Sequence, residues 1–292
     1  MTSSTISSIR ESGQRNQAAA QALYLARKNP LMVIGIVIVI LWVVLALLAP
    51  TIAPYDPLAQ NVNDRISPPG DPYFWGTDEL GRDIFTRVLY GGRITIPAGI
   101  MAIVIGSIIG TTIGALAGYL GGLWDELFMR LTELFMAFPT IILAMAVTAA
   151  LGPDIRNAVI ALVVVWWPTY ARLVRGLVLS VKANDYVESA QCIGATRPYI
   201  LVRTIMPNCI APTLVLTTLD IGNAILTFAG LSFLGLGPDP TSPEWGRMVS
   251  VGVDQFDQWW TWLFPGMAIA TLVLAFNFIG DGLRDIFDPR MQ

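Results

Sequence analysis

The chain has 292 residues, 54% of them hydrophobic and 13% charged, with a formal net charge of -3 and a mean hydropathy of +0.60. Soluble domains carry about 25% charged residues, so this composition predicts an integral membrane protein. The small negative charge, with no basic stripe, excludes nucleic acid as a partner. The absence of histidine excludes His-based nucleophiles and His metal sites. Neither lysine, Lys28 or Lys182, follows a glycine, so there is no Walker A loop and any ATP is hydrolysed by another polypeptide.

Six apolar runs predict an all-α fold with six transmembrane helices. Residues 1–30 are predicted to form a cytoplasmic N-terminal tail, because Arg27 and Lys28 directly precede the first span, 31–49. Residues 50–93 are rich in proline and predict an external loop that ends in an amphipathic segment at the membrane surface. A core of five spans, 94–284, and a cytoplasmic tail, 285–292, follow. The core spans are predicted at about Ile94–Gly118, Leu127–Leu151, Ala158–Leu179, Ile210–Leu231 and Leu263–Leu283.

The basic residues follow the positive-inside pattern for this topology. With the N-terminus inside, the 18 Lys and Arg residues divide into a cytoplasmic majority and an external minority. The external ones are only Arg65, Arg82, Arg87, Arg93, Arg156 and Arg247. The same topology places both termini and the loop 184–208 in the cytoplasm.

Four glycines of the second span recur every four residues: Gly106, Gly110, Gly114 and Gly118. Small residues at this spacing form a flat helix face that another helix can approach closely. The partner is either a helix of this subunit or a helix across a dimer seam, and the spacing alone leaves both open.

The loop 184–208, NDYVESAQCIGATRPYILVRTIMPN, is polar and basic between apolar runs. Asp185 and Glu188 predict a helix start with a reciprocal cap. Gly194 predicts the end of that helix, since it takes the left-handed conformation without strain. A second short helix is predicted from about Thr196 to Pro207. We call residues 184–208 the coupling segment.

The coupling segment resembles the EAA loop of ABC importer permeases. Five residues match that pattern in register: Glu188, Ser189, Ala190, Gly194 and Pro207. Ser189 replaces the first Ala of the pattern, Thr204 its Ile and Met206 its Leu. The resemblance implies that this loop docks into a groove of a separate ATPase subunit, whereas an ordinary capped loop helix is the alternative. The ATPase-coupling residues implied are Asp185, Tyr186, Glu188, Ser189, Ala190, Gly194, Arg197 and Pro207.

The chain also resembles permeases of the dipeptide and oligopeptide class over nearly all of residues 31–290. Phe74–Thr95, Ser232–Thr261 and the closing DGLRDIFDPR carry this resemblance. It implies a type I ABC importer permease fold in the cell membrane, with a second, homologous permease, an external solute-binding protein and surrounding lipid. Two partner ATPase subunits would bind ATP and Mg, and this chain would hold no cofactor. Peptides are the expected cargo, with nickel chelates, glutathione or sugars as alternatives.

Polar residues inside the predicted spans are candidates for the translocation path. They are Asp220, Asn223 and Asn277, and a carboxylate at such depth faces either a cavity or a partner that bonds it. A hydrogen bond across helices is the alternative for Asp220. A stand-alone proton-coupled transporter would need more titratable groups than these. An aspartyl dyad of Asp220 with Asp281 fails because the two are separated by a gap on the order of 10 Å along the membrane normal. We therefore predict no catalytic residue and no metal site.

Overall fold

The computed structural model describes residues 28–287, so the predicted N-terminal tail and the last residues of the C-terminal tail lie almost wholly outside the described residues. The described chain is helical and confirms the predicted all-α class. A 3-10 turn, Val62–Asp64, lies in the proline-rich loop, and a π-helical segment, Ile200–Ile205, joins α8 to α9. The helices are α1 Pro30–Leu47, α2 Ala49–Ile52, α3 Ile84–Leu120, α4 Gly122–Met136, α5 Thr140–Leu151, α6 Ile155–Lys182, α7 Asp185–Cys192, α8 Arg197–Tyr199, α9 Met206–Phe233, α10 Trp245–Val253 and α11 Trp260–Phe287.

Five helices among residues 28–287 are long and apolar enough to cross a membrane: α1, α3, α6, the continuous helix Arg197–Phe233 and α11. The pair α4 and α5 passes the same test together but bends by 90° at its break. The sequence predicts one continuous span, 127–151, and in this respect the prediction is wrong. Pro139 explains the break, because it has no N–H to donate and disfavours helical geometry at Phe138 before it.

The contacts between helices fix the direction of each crossing. Gly110 of α3 packs against Trp167 of α6, and Gly114 packs against Ala171 one turn further along both helices. The two helices are therefore parallel, and the bent pair α4 and α5 must carry the chain back between them as the sixth crossing. The Lys182 Nζ donates to the Tyr119 carbonyl oxygen at 2.8 Å, where α3 and α6 end together. We call this the coupling end of the bundle.

Both ends of the described chain also lie at the coupling end. Gly280 of α11 packs on Leu219 of α9 while Gly222 packs on Val273, so α11 runs antiparallel to α9. Met32 of α1 contacts Gly282 of α11, so α1 starts where α11 ends. The chain thus crosses six times and returns to the end at which it began.

The glycine face of α3 packs within this subunit, on α6. A Cβ on Gly110 would overlap the Trp167 carbonyl oxygen and lie 2.6 Å from the Tyr170 Cβ. A Cβ on Gly114 would overlap the Ala171 carbonyl oxygen. The outer two glycines are less crowded, because the nearest atom would lie 3.4 Å from a Cβ on Gly106 and 3.0 Å from a Cβ on Gly118. The closest backbone approach is therefore at the centre of the face.

The amphipathic segment predicted at the membrane surface is instead the first turns of α3. Its apolar residues are covered by protein, with Ile84, Val88 and Leu89 at most 2% exposed. The covering element is α10, whose Trp245 donates from its indole N–H to the Val88 carbonyl oxygen at 2.8 Å. The prediction is wrong because the loop between α9 and α11 folds back over this face, which a helix periodicity does not show.

Candidate functional site

Helix α7 of the coupling segment starts differently from the sequence prediction. Asn184 is its N-cap, and no side chain caps the helix. The Asn184 amide instead donates to the Ser180 and Val181 carbonyl oxygens, at 3.2 and 2.9 Å, and closes the end of α6. The predicted reciprocal cap of Asp185 with Glu188 is therefore wrong. Both carboxylates lie in the first turn of α7, where they complement the positive end of the helix dipole.

Gly194 ends α7 in the left-handed conformation, with φ of +85°. The Ala195 N–H donates to the Ala190 carbonyl oxygen at 3.1 Å, and the Gly194 N–H donates to that of Gln191 at 2.9 Å. This pair of bonds is a Schellman motif. A Cβ on Gly194 would meet no atom within 4 Å, so only the backbone conformation requires glycine here.

The sequence predicts that the second helix of the coupling segment ends at Pro207, but in the structure this helix continues past Pro207. From Arg197 it continues through the π-helical segment into α9, and Pro207 lies in the first turn of α9. A proline inside a regular α-helix collides with the carbonyl group four residues earlier. The wider π turn directly before Pro207 relieves that collision. The second helix of the coupling segment and the membrane-spanning α9 therefore form one helical rod.

The coupling segment has a buried side and an exposed side. Val187, Ile200 and Ile205 are at most 2% exposed and anchor it to the core at the coupling end. Large apolar side chains project outward from the other side: Tyr186, Ile193, Tyr199 and Val202 are 48 to 85% exposed. An exposed apolar patch within a polar loop marks a surface for a protein partner. Of the predicted coupling residues, Ala190 is half-buried and the rest are exposed, namely Asp185, Tyr186, Glu188, Ser189, Gly194, Arg197 and Pro207.

The predicted path residues lie on α9 and α11, and one of them bonds to α6. Asp220 is 8% exposed, and its Oδ2 accepts a hydrogen bond of 2.9 Å from the Tyr170 hydroxyl. The Asn223 amide lies 3.5 Å from the other carboxylate oxygen. Asn277 faces α9 beside Gly222, with its Oδ1 3.6 Å from where a Cβ on that glycine would lie. The geometry favours the hydrogen bond across helices for Asp220, and a role in the path stays a proposal.

We predict that Tyr170→Phe lowers the stability of the purified protein by about 1 kcal/mol, the scale of hydrogen bonds between membrane helices. The change removes only the hydroxyl that donates to Asp220. Thermal unfolding in detergent measures it, with Tyr199→Phe as the control because Tyr199 is 57% exposed. Equal melting temperatures for the two variants would contradict a stabilising role for this bond.

A pairing that sequence reasoning missed lies at the coupling end. Arg175 of α6 binds Asp125 of α4 through two hydrogen bonds, of 2.5 and 2.6 Å. These residues are 50 positions apart, and no local spacing indicates that they meet. The side chains are 34% and 18% exposed, against 74% and 66% for Arg130 and Glu133. The bidentate, partly buried pair therefore holds α4 against α6, whereas the exposed pair lies within α4 and contributes little.

The opposite end of the bundle contains buried charges that were also missed. Glu244 is fully buried and caps α10: its oxygens accept from the Gly246 and Arg247 N–H groups at 3.0 and 2.8 Å. The Thr95 hydroxyl of α3 donates to the same carboxylate at 3.0 Å. Burial raises the pKa of Glu244 because desolvation disfavours its charged form, and the hydrogen bonds from these three donors counteract part of that rise. Glu244 thereby joins α10 to α3.

Six crossings and a helix, hinge and helix at one end define a multi-pass inner-membrane permease with the ABC importer fold. The inward-facing MetNI methionine ABC transporter has a TM-score of 0.58 at 18% identity, covering 69% of this chain and 97% of that one. The family pattern "Binding-protein-dependent transport system inner membrane component" matches residues 110–292, and "N-terminal TM domain of oligopeptide transport permease C" matches 20–69. The chain belongs to this family of binding-protein-dependent inner membrane components.

Curated relatives are similar over most of the chain. A probable D,D-dipeptide transport system permease of Escherichia coli (strain K12) is 40% identical over 99% of this chain and 98% of its own length. A dipeptide transport system permease of Alkalihalophilus pseudofirmus is 42% identical, covering 91% and 88%. A glutathione transport system permease of Escherichia coli O6:K15:H31 is 44% identical over the same shares. The family consists of membrane permeases and implies a non-catalytic subunit.

Proposed function

We propose that this chain forms part of the translocation path of an ATP-driven importer, with peptides as its cargo. Two of the relatives described above are named for dipeptide transport, which supports that cargo. The glutathione permease is a transporter of a small peptide as well, and glutathione is the second candidate cargo. Nickel chelates and sugars have no support from these names.

The coupling end is proposed to face the cytoplasm. Arg172, Arg175, Lys182, Arg197 and Arg203 lie at or near it, as the positive-inside rule requires of cytoplasmic loops. Two ATPase subunits, which would bind ATP and Mg, are proposed to dock there. A second, homologous permease would complete the path, and a solute-binding protein would deliver the cargo at the opposite end.

The observation that carries the proposal is the unbroken helix from Arg197 to Phe233. A force applied at the exposed face of the coupling segment reaches Asp220 and Asn223 along one rod, without crossing a flexible loop. Helix α7 adds a second contact whose angle to the rod is set by the left-handed turn at Gly194. Movement of an ATPase subunit against both helices would therefore rotate or tilt α9 within the bundle.

The test changes Gly194, because its conformation fixes that angle. Gly194→Val is expected to insert and assemble but to lose most ATPase docking and peptide uptake, since a β-branched residue in the left-handed region costs roughly 1–2 kcal/mol. Gly194→Asn is the matched control, because Asn tolerates this conformation. The measurements are co-purification of the ATPase and uptake of labelled dipeptide into vesicles that contain ATP.

The Cβ of either variant meets no atom within 4 Å, so the two variants differ chiefly in how readily they adopt the left-handed conformation. Full uptake and normal ATP hydrolysis in Gly194→Val would show that this segment does not couple the two subunits.

A further inference from the structure

A cavity at the opposite end of the bundle has three arginines in its wall. Arg82 and Arg87 come from the start of α3 and the loop before it, and Arg247 comes from the first turn of α10. The cavity between them is small, about 20 Å³, and it is partly open to solvent. Asp78 and Glu79 also line it, so the wall carries three guanidinium groups against two carboxylates.

The Asp78 carboxylate already accepts three hydrogen bonds and faces two arginines. Its Oδ2 accepts from the Arg82 Nε at 2.6 Å and lies 3.6 Å from the Arg87 Nε. Its Oδ1 accepts from the backbone N–H groups of Leu80 and Arg82, at 2.9 and 3.0 Å. The carboxylate is therefore shared between Arg82 and Arg87, and among the described residues no ion pair joins it to Arg247.

Two guanidinium N–H groups of the wall have no hydrogen-bond acceptor among residues 28–287. They are the Nε groups of Arg87 and Arg247, and both are shielded from solvent. Arg87 is 2% exposed and its other nitrogens are held by carbonyl oxygens of Pro57, Thr241 and Ser242. Because buried donors are nearly always satisfied, such a group marks a place for a water or an ion. Two cationic donors in one cavity favour an anion.

We propose that this cavity binds a single carboxylate group between Arg87 and Arg247. A carboxylate presents two oxygens, one for each orphaned N–H, and arginine binds it with charge-assisted hydrogen bonds. Bound there, it would join α10 to the start of α3 across the cavity. The group can come from a small organic acid or from the terminal carboxylate of a peptide, since both present the same chemistry.

The proposal is tested by calorimetric titration of sodium acetate into the full chain, held in lipid nanodiscs with the subunits that co-purify with it. Ionic strength is kept constant with sodium chloride. We expect saturable binding of acetate and none of acetamide, which has the same shape without the charge. Trialanine and its C-terminal amide distinguish the source: trialanine that binds more tightly than acetate, with no binding of the amide, would assign the site to peptide termini, and equal affinities would assign it to small organic acids.

Arg247→Gln is the decisive variant, because Arg247 makes no side-chain bond that the fold needs. It should weaken acetate binding about tenfold, the loss of one hydrogen bond to a charged group. Arg156→Gln, an exposed arginine at the start of α6 at the same end, should leave binding unchanged. Glu79→Gln should strengthen it, since a repelling charge is removed. Equal binding in the wild type and Arg247→Gln, or no saturable acetate binding, overturns the proposal.

Discussion

Gly114→Leu should prevent assembly of the helix bundle, and it is the most damaging single change we expect in this chain. Even a Cβ at this position overlaps the Ala171 carbonyl oxygen and lies 2.9 Å from its carbon. These are backbone atoms of α6, which cannot rotate away as a side chain would. Overpacking a core costs about 1–3 kcal/mol when side chains can adjust, and here α3 and α6 must separate instead. Gly110→Leu should act in the same way.

Two controls isolate the effect of close packing for Gly114→Leu. Gly176 of α6 has no atom within 4 Å of its Cβ position, so Gly176→Leu adds the same side chain without a collision. Ile109→Leu tests the exposed side of α3, where Ile109 is 39% exposed. Membrane insertion, monodispersity in detergent and co-purification of a partner permease measure the outcome. Normal assembly of Gly114→Leu would mean that α3 and α6 are not in close contact.

Glu244→Ala should destabilise the opposite end by roughly 3 kcal/mol or more. The carboxylate accepts from the N–H groups of Gly246 and Arg247 and from the hydroxyl of Thr95. Removing it leaves these buried donors unsatisfied, at about 1–3 kcal/mol each when no water replaces the acceptor. The cap of α10 is lost at the same time. Glu244→Gln keeps one acceptor oxygen and should lose less.

Asp254→Ala is the matched control, since Asp254 follows the other end of α10 and is exposed. Thermal unfolding of the purified protein measures the loss of stability. Limited proteolysis locates it: new cleavage should appear between α9 and α11, while cleavage within the coupling segment stays unchanged. Equal melting temperatures for Glu244→Ala and Asp254→Ala would contradict the role of Glu244 as a buried link.

One feature of the coupling segment, the end of its first helix, depends only on the local sequence and was predicted from residue spacing. Gly194 takes the left-handed conformation at the end of the helix Asp185–Cys192, because glycine adopts this conformation without strain. The capping of that helix was predicted wrongly, since Asn184 turns its amide to the end of α6. The prediction that the helix ends at Pro207 was also wrong, because the π turn before this proline lets the helix continue. Both errors depend on the geometry of the preceding helix.

The sequence by itself determined the class of protein, the six crossings and the flat face at Gly110 and Gly114, because hydropathy and residue spacing act within one helix. Only the tertiary structure decided which helix covers that face and which buried charges meet. Arg175 and Asp125 are 50 residues apart, and Thr95 and Glu244 are 149 apart. The first pair forms because α4 packs against α6, and the second because α10 packs against α3. Contacts between helices that are distant in sequence leave no periodic pattern in the sequence.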